Sequence, residues 1–189
     1  MSAKRQQLVD TALAHFYRSG IHATGINDLL GAAGVAKKTL YSHFAGKEEL
    51  VLAALAERDK RFYDWLRARL TATAPGEARL EALFLALDDW FNDRVPALAP
   101  FLGCFFINAC GEYSEAASPV HQACRAHKVR ILALLETELA SHCPGADARA
   151  LAEALQLLKE GAISRAHVEG DRDAALAALP LARLLWQRP

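Results

Sequence analysis

GVAKKTLYSHFAGKEEL, Gly34 to Leu50, holds a nine-residue segment, Ala36 to Phe44, between two glycine-bearing turns. On a helical wheel at about 100° per residue, Leu40 and Phe44 fall on one side and join Val35 as a docking edge. Lys38 and Ser42 lie opposite, with Lys37 and Tyr41 on one shoulder and Thr39 and His43 on the other. The outward arc is therefore basic and rich in hydrogen-bond donors, carries one aromatic ring and contains no carboxylate. A helix that merely met solvent would mix in Glu or Asp. A short helix and the turn Ala33-Gly34-Val35 come just before it, and glycine suits a left-handed turn position. The pattern predicts a helix-turn-helix whose second helix enters the major groove of DNA.

The flanking sequence reads as helix throughout. Lys4 to Ser19 carries Leu8, Val9, Ala12, Leu13 and Phe16 at spacings of three and four and stops at Gly20. Thr24-Gly25-Ile26 starts a second helix running through Ala32. An amphipathic segment from Lys47 to about Leu70 ends in a break containing Pro75-Gly76. Further helices are expected over 77–94, 102–113, 119–142 (with a break at Pro144-Gly145), 147–169 and 171–187. No segment alternates with period two, so strands are not expected. The predicted fold is all-α, about nine helices: a three-helix head over residues 1–46 and a helical body over 47–189.

Charge is divided along the same line. Residues 1–47 hold six basic and two acidic residues, net +4, and the remaining sixteen basic and twenty acidic residues leave 48–189 at −4. A basic head on an acidic body orients a protein on a polyanion. Charges interrupt every apolar run before it reaches the length of a membrane span. MSAKRQQLVDTALAHF is amphipathic rather than a signal peptide, so cytoplasmic residence is expected. Cys104, Cys110, Cys124 and Cys143 stand singly and read as small core residues. His121 and His127 are six apart, off any shared helical face, so no metal site is expected. No nucleophile elbow, phosphate loop, zinc motif or paired carboxylates appear, which argues against an enzyme and against a cofactor.

Residues 4–52 resemble the DNA-binding head of TetR/AcrR-family transcriptional regulators. The resemblance rests on AHFYRSGIHAT, GINDLLGAAGVA, TLYSHF and GKEEL at intact spacing. It implies a homodimer on a pseudo-palindromic operator, with a C-terminal body that binds a small effector and dimerises through its last two helices. It implies that Lys37, Lys38 and Tyr41 reach base edges, and that Thr39 and His43, with Ser42 beside them, share base and backbone contacts. Lys47 matches the phosphate-contacting lysine, and Thr24 lies where a hydroxyl meets phosphate. Two adjacent lysines favour guanine in the half-site, and the tyrosine ring suits a thymine methyl.

FLGCFFINACGEYSEAASPVHQACRAHK resembles a subgroup whose sixth helix begins with Gly-Cys and ends in an acidic residue. Leu102 to Tyr113 is apolar nearly all round, and Asn108 and Glu112, four apart, need partners there. Two readings stay open. The pair lines an effector cavity with Phe62, Trp65, Phe84, Trp90, Phe105 and Tyr113, or Asn108 bonds backbone while Glu112 pairs with an arginine or caps a helix. A mainly apolar cavity would favour a hydrophobic or amphipathic effector. Leu151, Leu155, Leu158 and Ala162, then Leu176, Leu179 and Trp186, are expected at the dimer interface. The function expected is a ligand-responsive repressor. Switching by oxidation of Cys104 or Cys110, and an effector-independent DNA-binding dimer, are the alternatives.

Overall fold

The structure, a computed structural model, describes residues 2–139, 142–143 and 147–187. The expected Pro144-Gly145 break lies outside the described residues. Among them the chain forms nine helices and no strand: α1 (Ala3–Ser19), α2 (Ile26–Ala33), α3 (Lys37–Tyr41), α4 (Lys47–Thr71), α5 (Glu77–Phe91), α6 (Phe105–Glu112), α7 (Pro119–Glu138), α8 (Ala148–Val168) and α9 (Ala174–Gln187). None is long and apolar enough to cross a membrane.

Local chemistry sets the ends. Ser2 caps α1 by accepting the Arg5 N–H, and Gly20 (φ 87°) closes it. Gly34 ends α2 in the left-handed conformation (φ 61°, ψ 33°) that a side chain would disfavour. Several helices are shorter than their patterns suggest: α7 ends at Glu138 and α9 starts at Ala174, and in three others the local cause is plain. In α3 the helix stops at Tyr41, where Ser42 donates its hydroxyl to the Thr39 carbonyl; Phe44 reaches the core through the turn that follows. In α5 the Asn92 amide takes the Asp88 carbonyl, and Asp93 turns to φ 60°. In α6 the extended Cys104 and positive-φ Gly103 delay the start to Phe105.

Among the described residues, packing groups 2–60 with 104–127, and 61–103 with those from 128 to 187. In the first unit α1 lies against α2 and α3. Leu8, Val9, Ala12, Leu13 and Phe16 from α1 are buried, as are Leu29, Leu30, Leu40 and Phe44 from the helix-turn-helix and Leu50, Val51, Ala54 and Leu55 from α4. In the second unit α5, α8 and α9 pack on one another. Arg79 is tied there between the Thr73 carbonyl and Glu138, whose carboxylate lies 3.0 Å from its guanidinium.

Candidate DNA-binding face and the helical body

The turn between α2 and α3 is closed by the Gly34 and Val35 N–H groups, which donate to the Gly31 and Leu30 carbonyls. Ala36 is extended as the N-cap of α3, and the single buried side chain of that helix is Leu40. Burial of Leu40 fixes the helix's rotation. Lys37, Lys38, Tyr41 and Ser42 are consequently exposed, the Tyr41 ring by half, while Thr39 and His43 are half-buried. No carboxylate interrupts this set. The Ser42 hydroxyl proton is already committed to Thr39, leaving its lone pairs outward, and the His43 Nε2 lies 3.3 Å from the Ser2 hydroxyl.

Thr24 and Lys47 flank this face differently from what their residue types suggest. Thr24 is buried, and its hydroxyl donates to the Gly20 carbonyl at 2.7 Å, so the side chain shapes the α1–α2 turn. What α2 offers outward is its first-turn backbone N–H groups, which have no acceptor within the helix. The Lys47 ammonium lies 3.5 Å from the His22 carbonyl, at the mouth of the same turn. Arg5 spreads over the Phe44 ring with 4.9 Å to its centroid.

The residues expected around an effector separate into two groups. Phe62, Trp65 and Trp90, in the second unit, meet edge to face at 5.1, 5.3 and 6.4 Å between centroids, and Phe101 extends the cluster from Trp90. In the first unit Phe105 is buried with its ring 5.8 Å from Tyr17, and Asn108 is half-buried on α6. Glu112 and Tyr113 reach the α1–α2 turn. The Glu112 carboxylate accepts the Ile21 and His22 N–H groups at 2.7 and 2.5 Å, and the Tyr113 ring tilts over the His22 imidazole at 4.8 Å. Burial, together with the Glu112 and Glu48 carboxylates, pushes the Tyr113 phenol up.

Some buried polar groups find partners far away in the chain. His127 is buried, bonded through Nδ1 to Asp59 at 2.7 Å and stacked on Phe106 at 3.6 Å; Arg58, also buried, lies over Tyr17. Asp59 and His127 are 68 residues apart, and the only advance sign is a histidine on a helix face otherwise given to core. In the second unit Lys159 is 1% exposed beside Glu160, which also bonds Lys128. No group of three metal-ligating side chains occurs among the described residues. All four cysteines are free thiols, with Cys110 half-buried and the others buried.

On α8 and α9 the apolar residues divide by burial. Leu151, Leu155, Ala162, Leu179 and Trp186 are buried within the chain itself, Leu158 is half-buried and Leu176 exposed. A second stripe, apolar except for Ser164, faces out: Leu157, Gly161 and Val168 on α8, and Ala177, Pro180, Leu181 and Leu184 on α9. Leu157 and Val168 are 74% and 77% exposed.

Comparison with known proteins agrees with this architecture. Residues 8–54 match the family described as bacterial regulatory proteins, tetR family, and residues 76–180 match the tetracyclin repressor-like C-terminal domain. A TetR-family transcriptional regulator from Streptomyces coelicolor superimposes with a TM-score of 0.86 at 31% identity, over 97% of this chain and 94% of that one. The transcriptional repressor KstR2 of Mycobacterium tuberculosis is 38% identical over 90 residues, 46% of this chain and 43% of the relative. The transcriptional activator FasR of Mycolicibacterium smegmatis is 36% identical over 89 residues, 47% and 41% of the two chains. These two matches span less than half the length of either curated relative.

Proposed function

Because the chain belongs to the TetR family of bacterial regulatory proteins, we propose that it is a sequence-specific DNA-binding repressor, released from its operator by a small molecule. The observation that carries this reading is the exposed, carboxylate-free face of α3, with Lys37, Lys38, Tyr41 and Ser42 held outward by burial of Leu40. Residues 1–46 form the reading head, and 47–189 hold the effector and make the dimer. Lys37, Lys38 and Tyr41 read base edges, Thr39, Ser42 and His43 share base and backbone, and Lys47 holds phosphate. Thr24 contributes through the turn that its hydroxyl braces. Repression is the role of KstR2, and the activator FasR marks the opposite outcome.

A five-residue recognition helix in one protomer makes too few contacts for operator-level affinity, so two heads act together on half-sites about 34–36 Å apart. The outward stripe of α8 and α9 supports the dimer, because apolar residues at this density on adjacent helices need a partner surface. Leu158 and Leu176 border it; Leu151, Leu155, Ala162, Leu179 and Trp186 support it from within. The aromatic cluster of Phe62, Trp65 and Trp90 within the second unit supports an apolar or amphipathic effector. Such a ligand shifts the heads only by its differential affinity for two body conformations.

Selection of bound duplexes from a random pool at two salt concentrations tests the reading. A palindrome with half-sites one turn apart is the expected result; sequence-blind, salt-sensitive binding would indicate an architectural protein instead. Lys47→Ala is expected to weaken binding to all sequences and flatten the salt dependence, whereas Tyr41→Ala and Lys37→Ala change base preference. Uniform loss in all three variants would refute the base-reading roles.

A further inference from the structure

The turn that joins α1 to α2 is held by a residue about ninety positions downstream. Gly20, Ile21 and His22 double the chain back after α1, and Ile21 is fully buried as they do so. Two successive backbone N–H groups, those of Ile21 and His22, point the same way. Both oxygens of the Glu112 carboxylate are engaged, Oε1 by Ile21 and Oε2 by His22, and the His22 Nδ1 lies 3.5 Å from Oε2. The approach leaves no spare room: a Cβ on Gly20, already at φ 87°, would stand 3.3 Å from Glu112 Oε1. Tyr113, next in the chain, covers the His22 ring.

The same turn carries the groups that would meet the DNA backbone. Thr24 donates to the Gly20 carbonyl, the His22 carbonyl faces the Lys47 ammonium, and Gly25, the N-cap of α2, donates its N–H to the Asp28 carboxylate. Glu112 therefore lies against the turn that precedes α2. Each of its carboxylate oxygens takes one backbone N–H of the turn.

We infer that Glu112 is a positioning residue for DNA binding. Its carboxylate, carried on the last turn of α6, holds the α1–α2 turn so that Lys47 and the first-turn amides of α2 face phosphate together. The head is consequently competent only while α6 ends beside it. This inference rests on the DNA-binding reading above.

Full-length Glu112→Ala and Glu112→Gln test it, titrated by fluorescence anisotropy at several salt concentrations against the duplex that wild type selects. Amide hydrogen exchange at Ile21 and His22 is followed in the absence of DNA. Glu112→Ala is expected to lose affinity roughly tenfold, the factor that one hydrogen bond to a charged group corresponds to. Its log K against log salt slope should become shallower by about one to two, as one phosphate contact per protomer is misplaced. Glu112→Gln, which keeps one acceptor oxygen in place, should fall between, and both variants should exchange faster at the two amides. A role in stability alone would lower the melting temperature and leave the salt slope of the folded protein unchanged. Faster exchange with unchanged affinity and slope would overturn the positioning role, and unchanged exchange would overturn the latch itself. If wild type selects no duplex, the DNA-binding reading fails and the positioning role with it, while the exchange data still judge the latch.

Discussion

Glu160 offers a sharp energetic test of the body, because one carboxylate there pairs with two neighbouring ammonium groups. Burial alone would raise its carboxyl, but Lys159 and Lys128 outweigh burial and hold it at about 2, down from 4.5. Lys159 is 1% exposed, with its ammonium 2.5 Å from Glu160, and Lys128 lies at 2.6 Å. A pKa lowered by that amount corresponds to about 3 kcal/mol of folding stability at pH 7. The sign follows from the depressed value. The contribution is complete above 4.5, the unfolded value, and disappears as pH falls through the folded value of about 2. Glu160→Gln, nearly isosteric, should thus cost about 3 kcal/mol at pH 7, and about 2 kcal/mol of that gap should be gone by pH 3. Urea unfolding of both proteins at each pH, at one fixed protomer concentration, measures the gap. A gap that stays the same at pH 3, or lies below about 1 kcal/mol at pH 7, would refute the reasoning.

Other substitutions probe separate parts of the molecule. Arg79→Ala strands the Thr73 and Glu138 carbonyls together with a mostly buried carboxylate, and should lower unfolding free energy by about 3–5 kcal/mol in urea titrations; a loss under 1 kcal/mol would contradict it. Leu157→Glu changes a side chain that is 74% exposed in the chain, so helicity should persist while sedimentation shows monomer; an intact dimer would remove the α8–α9 stripe from the interface. Gly34→Ala forces a side chain into φ 61° and should destabilise the head by about 1 kcal/mol in thermal unfolding. A neutral result there would mean that the turn relaxes.

Several features of the head are legible in the linear sequence because their causes are local. The spacing of Leu8, Ala12 and Phe16 selects the buried side of α1, Gly34 marks a left-handed turn, and Leu40 rotates α3 so that its donors face out. Each of these depends on residues within one or two helical turns. Helix ends were harder to read, since side chains such as Ser42 and Asn92 compete for backbone carbonyls that an apolar pattern assigns to the helix. The body was legible as helices but not as faces. Both α8 and α9 are apolar on two sides, so periodicity alone could not tell Leu155 and Leu179, buried in the chain, from Leu157 and Leu181, which are not.

By itself, then, the sequence determined the helices, the helix-turn-helix and the identity of the side chains that α3 presents, because short-range sterics and amphipathic period decide them. Only the tertiary structure decided who meets whom across the chain. Glu112 takes two amides of a turn ninety residues away, Asp59 finds His127, and Thr24 turns its hydroxyl inward. Buried polar groups must find a partner, but no local rule names it. The partner is whichever acceptor or donor the packed helices bring within about 3 Å.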